Sequence, residues 1–149
     1  MMNSHWLPGQ VLPHCPPMLL LSRIVDWGPD SLVGEVDITA NDPFAEPGLG
    51  VPCWVALEYM AQAVGALDGI RLREAGRLVP PGYLLGTRRL NDTDGYFRPG
   101  ARLCITVQEI LQDESGLGAY SCRLDDGERS LACQLTVYRP PASDAQAGV

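Results

Sequence analysis

One carboxylate, Glu58, stands inside a stretch whose apolar residues recur with helical spacing: Trp54, Leu57, Met60, Ala61, Val64 and Leu67. A carboxylate in such surroundings is costly unless it is paired or functional. At a subunit seam, or bonded to a nearby hydroxyl, Glu58 would be structural; inside a site, burial would let it hold and exchange a proton near neutral pH. Gln62 lies one turn further on the same face, where it could orient that carboxylate or equally make a structural hydrogen bond. An acid needs a base, and the chain has only two histidines. His5 falls in an N-terminal segment expected to be mobile. His14 follows Leu12-Pro13 and precedes Cys15-Pro16-Pro17, so it either bonds backbone in a proline-rich turn or supplies the neutral imidazole of a site. Cys53, after Pro52, marks the start of the helical stretch. Its useful group would be the backbone N–H, because helix N-termini stabilise an oxygen that gains negative charge. A nucleophilic thiol is the weaker reading, since no histidine adjoins it in sequence.

The elements that must position these groups follow from periodicity. Residues 1–17 are proline-rich and read as irregular. Residues 18–27 and 31–39 form a hairpin, the second run alternating Leu32, Gly34, Val36 and Ile38 against polar neighbours. A loop over 40–52 leads to the one long helix, about Cys53 to Glu74, closed by Gly76. On it, Ala61, Gly65 and Gly69 share a ridge where small side chains would admit a closely packed sheet. Asn41 and Asp42 read as turn residues. Strand-like segments follow at 83–90, 101–113, 118–124 and 130–139, the last two joined by the turn Asp125-Asp126-Gly127. The order β-β-α-β-β-β-β describes an α+β domain over residues 1–139, its helix wrapped by an antiparallel sheet, with a disordered tail at 140–149. An uncovered edge strand makes dimerisation expected.

Composition narrows the partners. The net charge of -7 argues against nucleic acid. Every basic residue is an arginine, and Arg88, Arg89, Arg98 and Arg102 could gather into one small basic cluster. Five scattered cysteines without a C-x-x-C pair suit a reducing compartment, with Cys104, Cys122 and Cys133 expected as buried apolar residues. No apolar run is long enough to span a bilayer, and no signal peptide is recognisable, so a cytoplasmic protein is expected. Neither a metal-ligand set nor a cofactor fingerprint occurs.

The entry segment Leu12-Pro13-His14-Cys15-Pro16-Pro17-Met18-Leu19-Leu20-Leu21-Ser22-Arg23-Ile24-Val25 resembles the L-P-H-R-x-P-x-L-L-x-D-R-V segment of the 3-hydroxyacyl-acyl-carrier-protein dehydratases. Leu57-Glu58-Tyr59-Met60-Ala61-Gln62 is similar to that family's (I/L)-E-x-M-A-Q helix, and Tyr83-Leu84-Leu85-Gly86 and Phe97-Arg98-Pro99-Gly100 match later segments approximately. Val51-Pro52-Cys53-Trp54-Val55 points to the divergent branch associated with aryl polyene biosynthesis. The resemblance implies a hot-dog fold that converts 3-hydroxyacyl thioesters to trans-2-enoyl thioesters, in fatty-acid or polyketide type synthesis, without a cofactor. It implies that Glu58 is the acid, that Leu85 and Gly86 flank a phosphopantetheine arm from an acyl carrier protein, and that a homodimer or a heterodimer with a related hot-dog subunit completes the site from two chains. One departure matters. The family's loop histidine is missing from residues 41–52, leaving His14 as the candidate replacement. A hot-dog thioesterase, or a non-catalytic subunit that binds acyl chains or completes a heterodimer, therefore remains an alternative.

Overall fold

The structure, a computed structural model, describes residues 5–141. Alternation sets the sheet. Strand β1 (Arg23–Trp27) pairs antiparallel with β2 (Ser31–Asp37), on which Leu32, Gly34 and Val36 point inward. The chain then passes through β3 (Val51–Pro52) and a single 3-10 turn (Cys53–Val55) into helix α2 (Ala56–Glu74). Beyond it come β4 (Tyr83–Arg88), β5 (Tyr96–Phe97), β6 (Arg102–Gln112), β7 (Leu117–Asp125) and β8 (Ser130–Tyr138). The inward positions Leu103, Ile105, Val107, Tyr120, Cys122, Leu124, Leu131, Cys133 and Leu135 are buried against α2 in one continuous apolar cluster.

The strands after the helix do not follow one another across the sheet in chain order. The sheet order is β1-β2-β6-β7-β8-β4: β6 joins β2, and β4 crosses to the far edge beside β8. Strand β6 buries Leu103, Ile105 and Val107 in its first half and is paired on both sides, with β2 and β7. Strand β4 has apolar residues in consecutive positions, a register shift between Leu84 and Gly86, and all six residues exposed. Those features suit an edge. The short β3–β5 ladder, which tethers the helix entrance, has too few residues to show a period.

The proline-rich beginning is more ordered than its composition predicts. Pro8–Val11 forms a short helix, α1, and Val11 and Leu12 are buried in the core. The small-residue ridge of α2 receives this segment rather than the sheet. A Cβ at Gly69 would come within 1.9 Å of the Val11 carbonyl oxygen, and one at Gly65 within 3.0 Å of Leu12 Cδ2. Trp54, expected on the buried face, is 56% exposed because it lies on the 3-10 turn before the helix proper, edge-on to Phe44. Cys104 is exposed, since it alternates with Leu103 and Ile105 on β6. The expected basic cluster does not form: Arg102 bonds Asp37, which also takes Arg23. Arg88 lies across the sheet, three strands from β6. The part of the expected tail from residue 142 onward is outside the described residues. Among the described residues no helix is long and apolar enough to cross a membrane.

The 40–52 loop is held by a pair that periodicity could not show. Buried Tyr59 donates from its hydroxyl to Asp42 Oδ2 at 2.8 Å, while Asp42 Oδ1 accepts from the Phe44 N–H at 2.8 Å. Burial, reinforced by the Asp42 charge, pushes the phenol well above its ordinary range, so it remains a donor at any physiological pH. Tyr59→Phe is expected to lower stability by about 1–2 kcal/mol, measurable by denaturant titration, because Asp42 loses its partner in a part-buried place.

Candidate active site

Glu58 and Gln62 are one turn apart on α2, and both face the entry segment that α1 introduces. Gln62 is almost wholly buried and fully employed. Its Oε1 accepts from the N–H groups of Leu20 (2.9 Å) and Leu21 (3.2 Å), and its Nε2 donates to the Met18 carbonyl (2.8 Å) and to Glu58 Oε1 (3.1 Å). The amide therefore does both things expected of it: it stitches the entry segment to the helix and it orients the carboxylate.

That stitching brings His14 over Glu58. His14 Nε2 lies 3.9 Å from Glu58 Oε1 within a single chain. The side chains are 33% and 36% exposed, so Glu58 opens onto a cavity instead of being sealed in the core. His14 Nδ1 is buried without a hydrogen-bond partner among the described residues, and the ring is placed by the proline-bound segment on either side of it. The two groups share a cavity of about 250 Å³ with Gln62. Ala61 and Gly65 leave its helical floor open, and Leu12, Val79, Leu84 and Val137 supply apolar walls.

Three expected substrate contacts are displaced. Cys53 gives its N–H to the Gly95 carbonyl at 2.9 Å, so that donor is already engaged. Its buried thiol meets Arg129 Nη1 at 2.9 Å, and burial, only partly opposed by Arg129, raises its pKa. Leu85 and Gly86 do not line the cavity in this chain. Strand β4 contributes Tyr83 and Leu84 there, preceded by Gly82, because the edge strand leaves the helix as it proceeds. Sequence reasoning also missed Arg129, which bonds the Asp94 carbonyl at 2.6 Å and ties the β7–β8 turn to the loop before β5. Its only sequence signal is its place just after that turn.

Gln62→Glu keeps an acceptor for Leu20 and Leu21 but loses the donor to Met18 and sets a second carboxylate against Glu58. A stability loss of roughly 2 kcal/mol at neutral pH is expected. The deficit should shrink as pH falls through the carboxylate range and the repulsion is neutralised, which thermal melts across pH will show.

A curved antiparallel sheet wrapped around one long helix is the hot-dog fold. The sequence profile of the ApeP-like family, described as ApeP dehydratase, matches residues 6–148, and the chain belongs to that family. The 3-hydroxyacyl-[acyl-carrier-protein] dehydratase FabZ of Brucella ovis is 34% identical over 142 residues, covering 85% of each chain. The dehydratase heterocomplex ApeI:P from Xenorhabdus doucetiae contains a similar structure, with a TM-score of 0.85 at 26% identity over 97% of this chain and 96% of that one. The E. coli PaaI protein of a phenylacetic acid degradation operon shares the fold, with a TM-score of 0.57 at 12% identity over 78% of this chain and 81% of that one.

Proposed function

We propose that the chain removes water from 3-hydroxyacyl thioesters presented on the phosphopantetheine arm of an acyl carrier protein, with His14 as base and Glu58 as acid. The observation that carries this reading is the 3.9 Å approach of His14 Nε2 to Glu58 Oε1 at one cavity. His14 Nε2 takes the proton alpha to the thioester carbonyl, and its electron pair forms the C2–C3 double bond. The C3–O bond breaks as protonated Glu58 gives its proton to the departing hydroxyl. Water and a trans-2-enoyl thioester leave, with the proton now on His14 and Glu58 ionised. The separation is short enough for the proton to return through one water and restore both groups. No cofactor is required. The arm would run along β4 from its Arg88 end toward Leu84, and Arg88 and Arg89, the latter just past the strand, would meet its phosphate or an acidic carrier surface. A cytoplasmic location fits the five scattered cysteines.

A second reading concerns assembly. The 41–52 loop has no histidine, β4 is an exposed apolar edge, and the similar dehydratase is a heterocomplex. A related hot-dog subunit would cover that edge and complete the active unit.

The test is a carrier-bound 3-hydroxyacyl substrate followed by mass spectrometry, with the chain alone and with a related hot-dog subunit. Loss of water to an enoyl thioester supports dehydration, and its appearance only with the partner supports the heterodimer. Release of free acid and thiol would establish a thioesterase instead.

A further inference from the structure

The cavity that begins at His14 and Glu58 ends at charge. From Glu58 to Asp68 the helix rises about 15 Å. Between them the floor is Ala61 and Gly65, and the walls are aliphatic. At the far end Asp68 and Arg139, each 20% exposed, form a two-pronged ion pair: Arg139 Nε reaches Asp68 Oδ2 at 2.5 Å and Nη2 reaches Oδ1 at 3.3 Å. Gln112, Tyr120 and Tyr138 line the same end, with the Tyr120 hydroxyl donating to Gln112 Oε1 at 3.1 Å.

This end wall is rigidly built. Gly116, at φ +101°, packs so closely on the Arg139 backbone that a Cβ there would lie 2.2 Å from its carbonyl oxygen. The Arg139 N–H donates to the Gly116 carbonyl at 3.0 Å. The guanidinium thus projects from a locked backbone. Its Nε and Nη2 are used by Asp68, while the hydrogens of Nη1 have no acceptor among the described residues.

We propose that the Asp68–Arg139 pair is a polar stop that selects acyl tails ending in a hydrogen-bonding group, such as a hydroxyl or carbonyl, over plain alkyl tails of equal length. The proposal rests on the dehydratase reading for the direction in which the tail runs, with its thioester end at His14 and its far end at the pair. A methyl terminus pressed against the pair strips water from two charges and returns nothing. A terminal hydroxyl or carbonyl accepts from Arg139 Nη1 and replaces that water. The apolar middle of the cavity still requires an apolar chain between the two polar ends.

The experiment compares two 3-hydroxyacyl thioesters matched in length, one methyl-ended and one hydroxyl-ended, by turnover in whichever assembly is active. In parallel, calorimetry measures binding of the corresponding saturated acyl pantetheine thioesters, which cannot undergo dehydration. The hydroxyl-ended member should be favoured by about tenfold or more in both measurements. Asp68→Leu/Arg139→Met, which leaves His14 and Glu58 in place, should abolish or invert the preference. If that variant does not fold, Arg139→Lys, which keeps the charge but not the fork, should reduce the preference severalfold. Equal binding of both tails by the unaltered protein, or a preference that survives in a folded variant, overturns the proposal. A binding preference without dehydration would uphold the stop and sink the dehydratase reading; dehydration without a preference would do the reverse.

Discussion

Glu58→Gln is expected to lower the rate of enoyl thioester formation by about 10²–10⁴-fold, the range associated with losing one positioned acid or base. The fold should tolerate the change. The amide oxygen of the new side chain still accepts from Gln62 Nε2, which now donates to Glu58 Oε1 at 3.1 Å, and the site is open to water at this point. The thermal midpoint should move by only a degree or two while turnover collapses. His14→Ala should produce a loss of similar size. The double variant should be little worse than either single one, because the two groups act as one proton-passing unit and their effects are not additive. Initial rates in the active assembly, read as enoyl product, decide the matter. Full activity in either single variant would show that the 3.9 Å pair is not the machinery.

Gly69→Ala carries the second large effect, and its sign is unusual. In an exposed helix this change stabilises by about 1 kcal/mol. Here the added Cβ would fall 1.9 Å from the Val11 carbonyl oxygen, a backbone atom that cannot swing aside. Either α1 lifts from α2 or the helix shifts, and a loss of about 4 kcal/mol is expected, larger than an ordinary overpacking penalty because the obstacle is backbone. In a chain of this size that lowers the melting midpoint by roughly 10 °C. Activity should fall further than stability alone requires, since α1 leads directly into Leu12, Pro13 and His14. Gly65→Ala is the control: its Cβ meets only the end of the flexible Leu12 side chain, at 3.0 Å, so it should be close to neutral. Urea titration of the two variants side by side tests the claim. Stabilisation by Gly69→Ala would mean that α1 does not dock on this ridge.

Both predictions concern residues that stand out in the sequence, but for reasons of different quality. Glu58 is legible because an acid among apolar residues at helical spacing is a local contradiction that needs an explanation. Gly65 and Gly69 are legible as a close-approach ridge, yet what approaches them is not. The sequence suggests the sheet, whereas the structure places the proline-bound entry segment there. Likewise the segment at 83–88 reads plainly as a strand, but nothing in its own residues says that it crosses to the far edge and pairs with β8.

The sequence by itself determined the elements and the candidates: the alternation of β2, the long apolar helix, the hairpin turn at Asp125-Asp126-Gly127, and the singling out of Glu58, Gln62 and His14. These depend on periods of two and 3.6 residues and on isolated polar groups, which are properties of neighbours along the chain. Only the tertiary structure decided which candidates meet. It set His14 over Glu58 across 44 residues of sequence through four bonds to Gln62, occupied the Cys53 N–H with Gly95, joined Tyr59 to Asp42, and closed the cavity with Asp68 and Arg139. Such contacts arise from how the edge strand and the entry segment pack against one helix, and no local period encodes that packing.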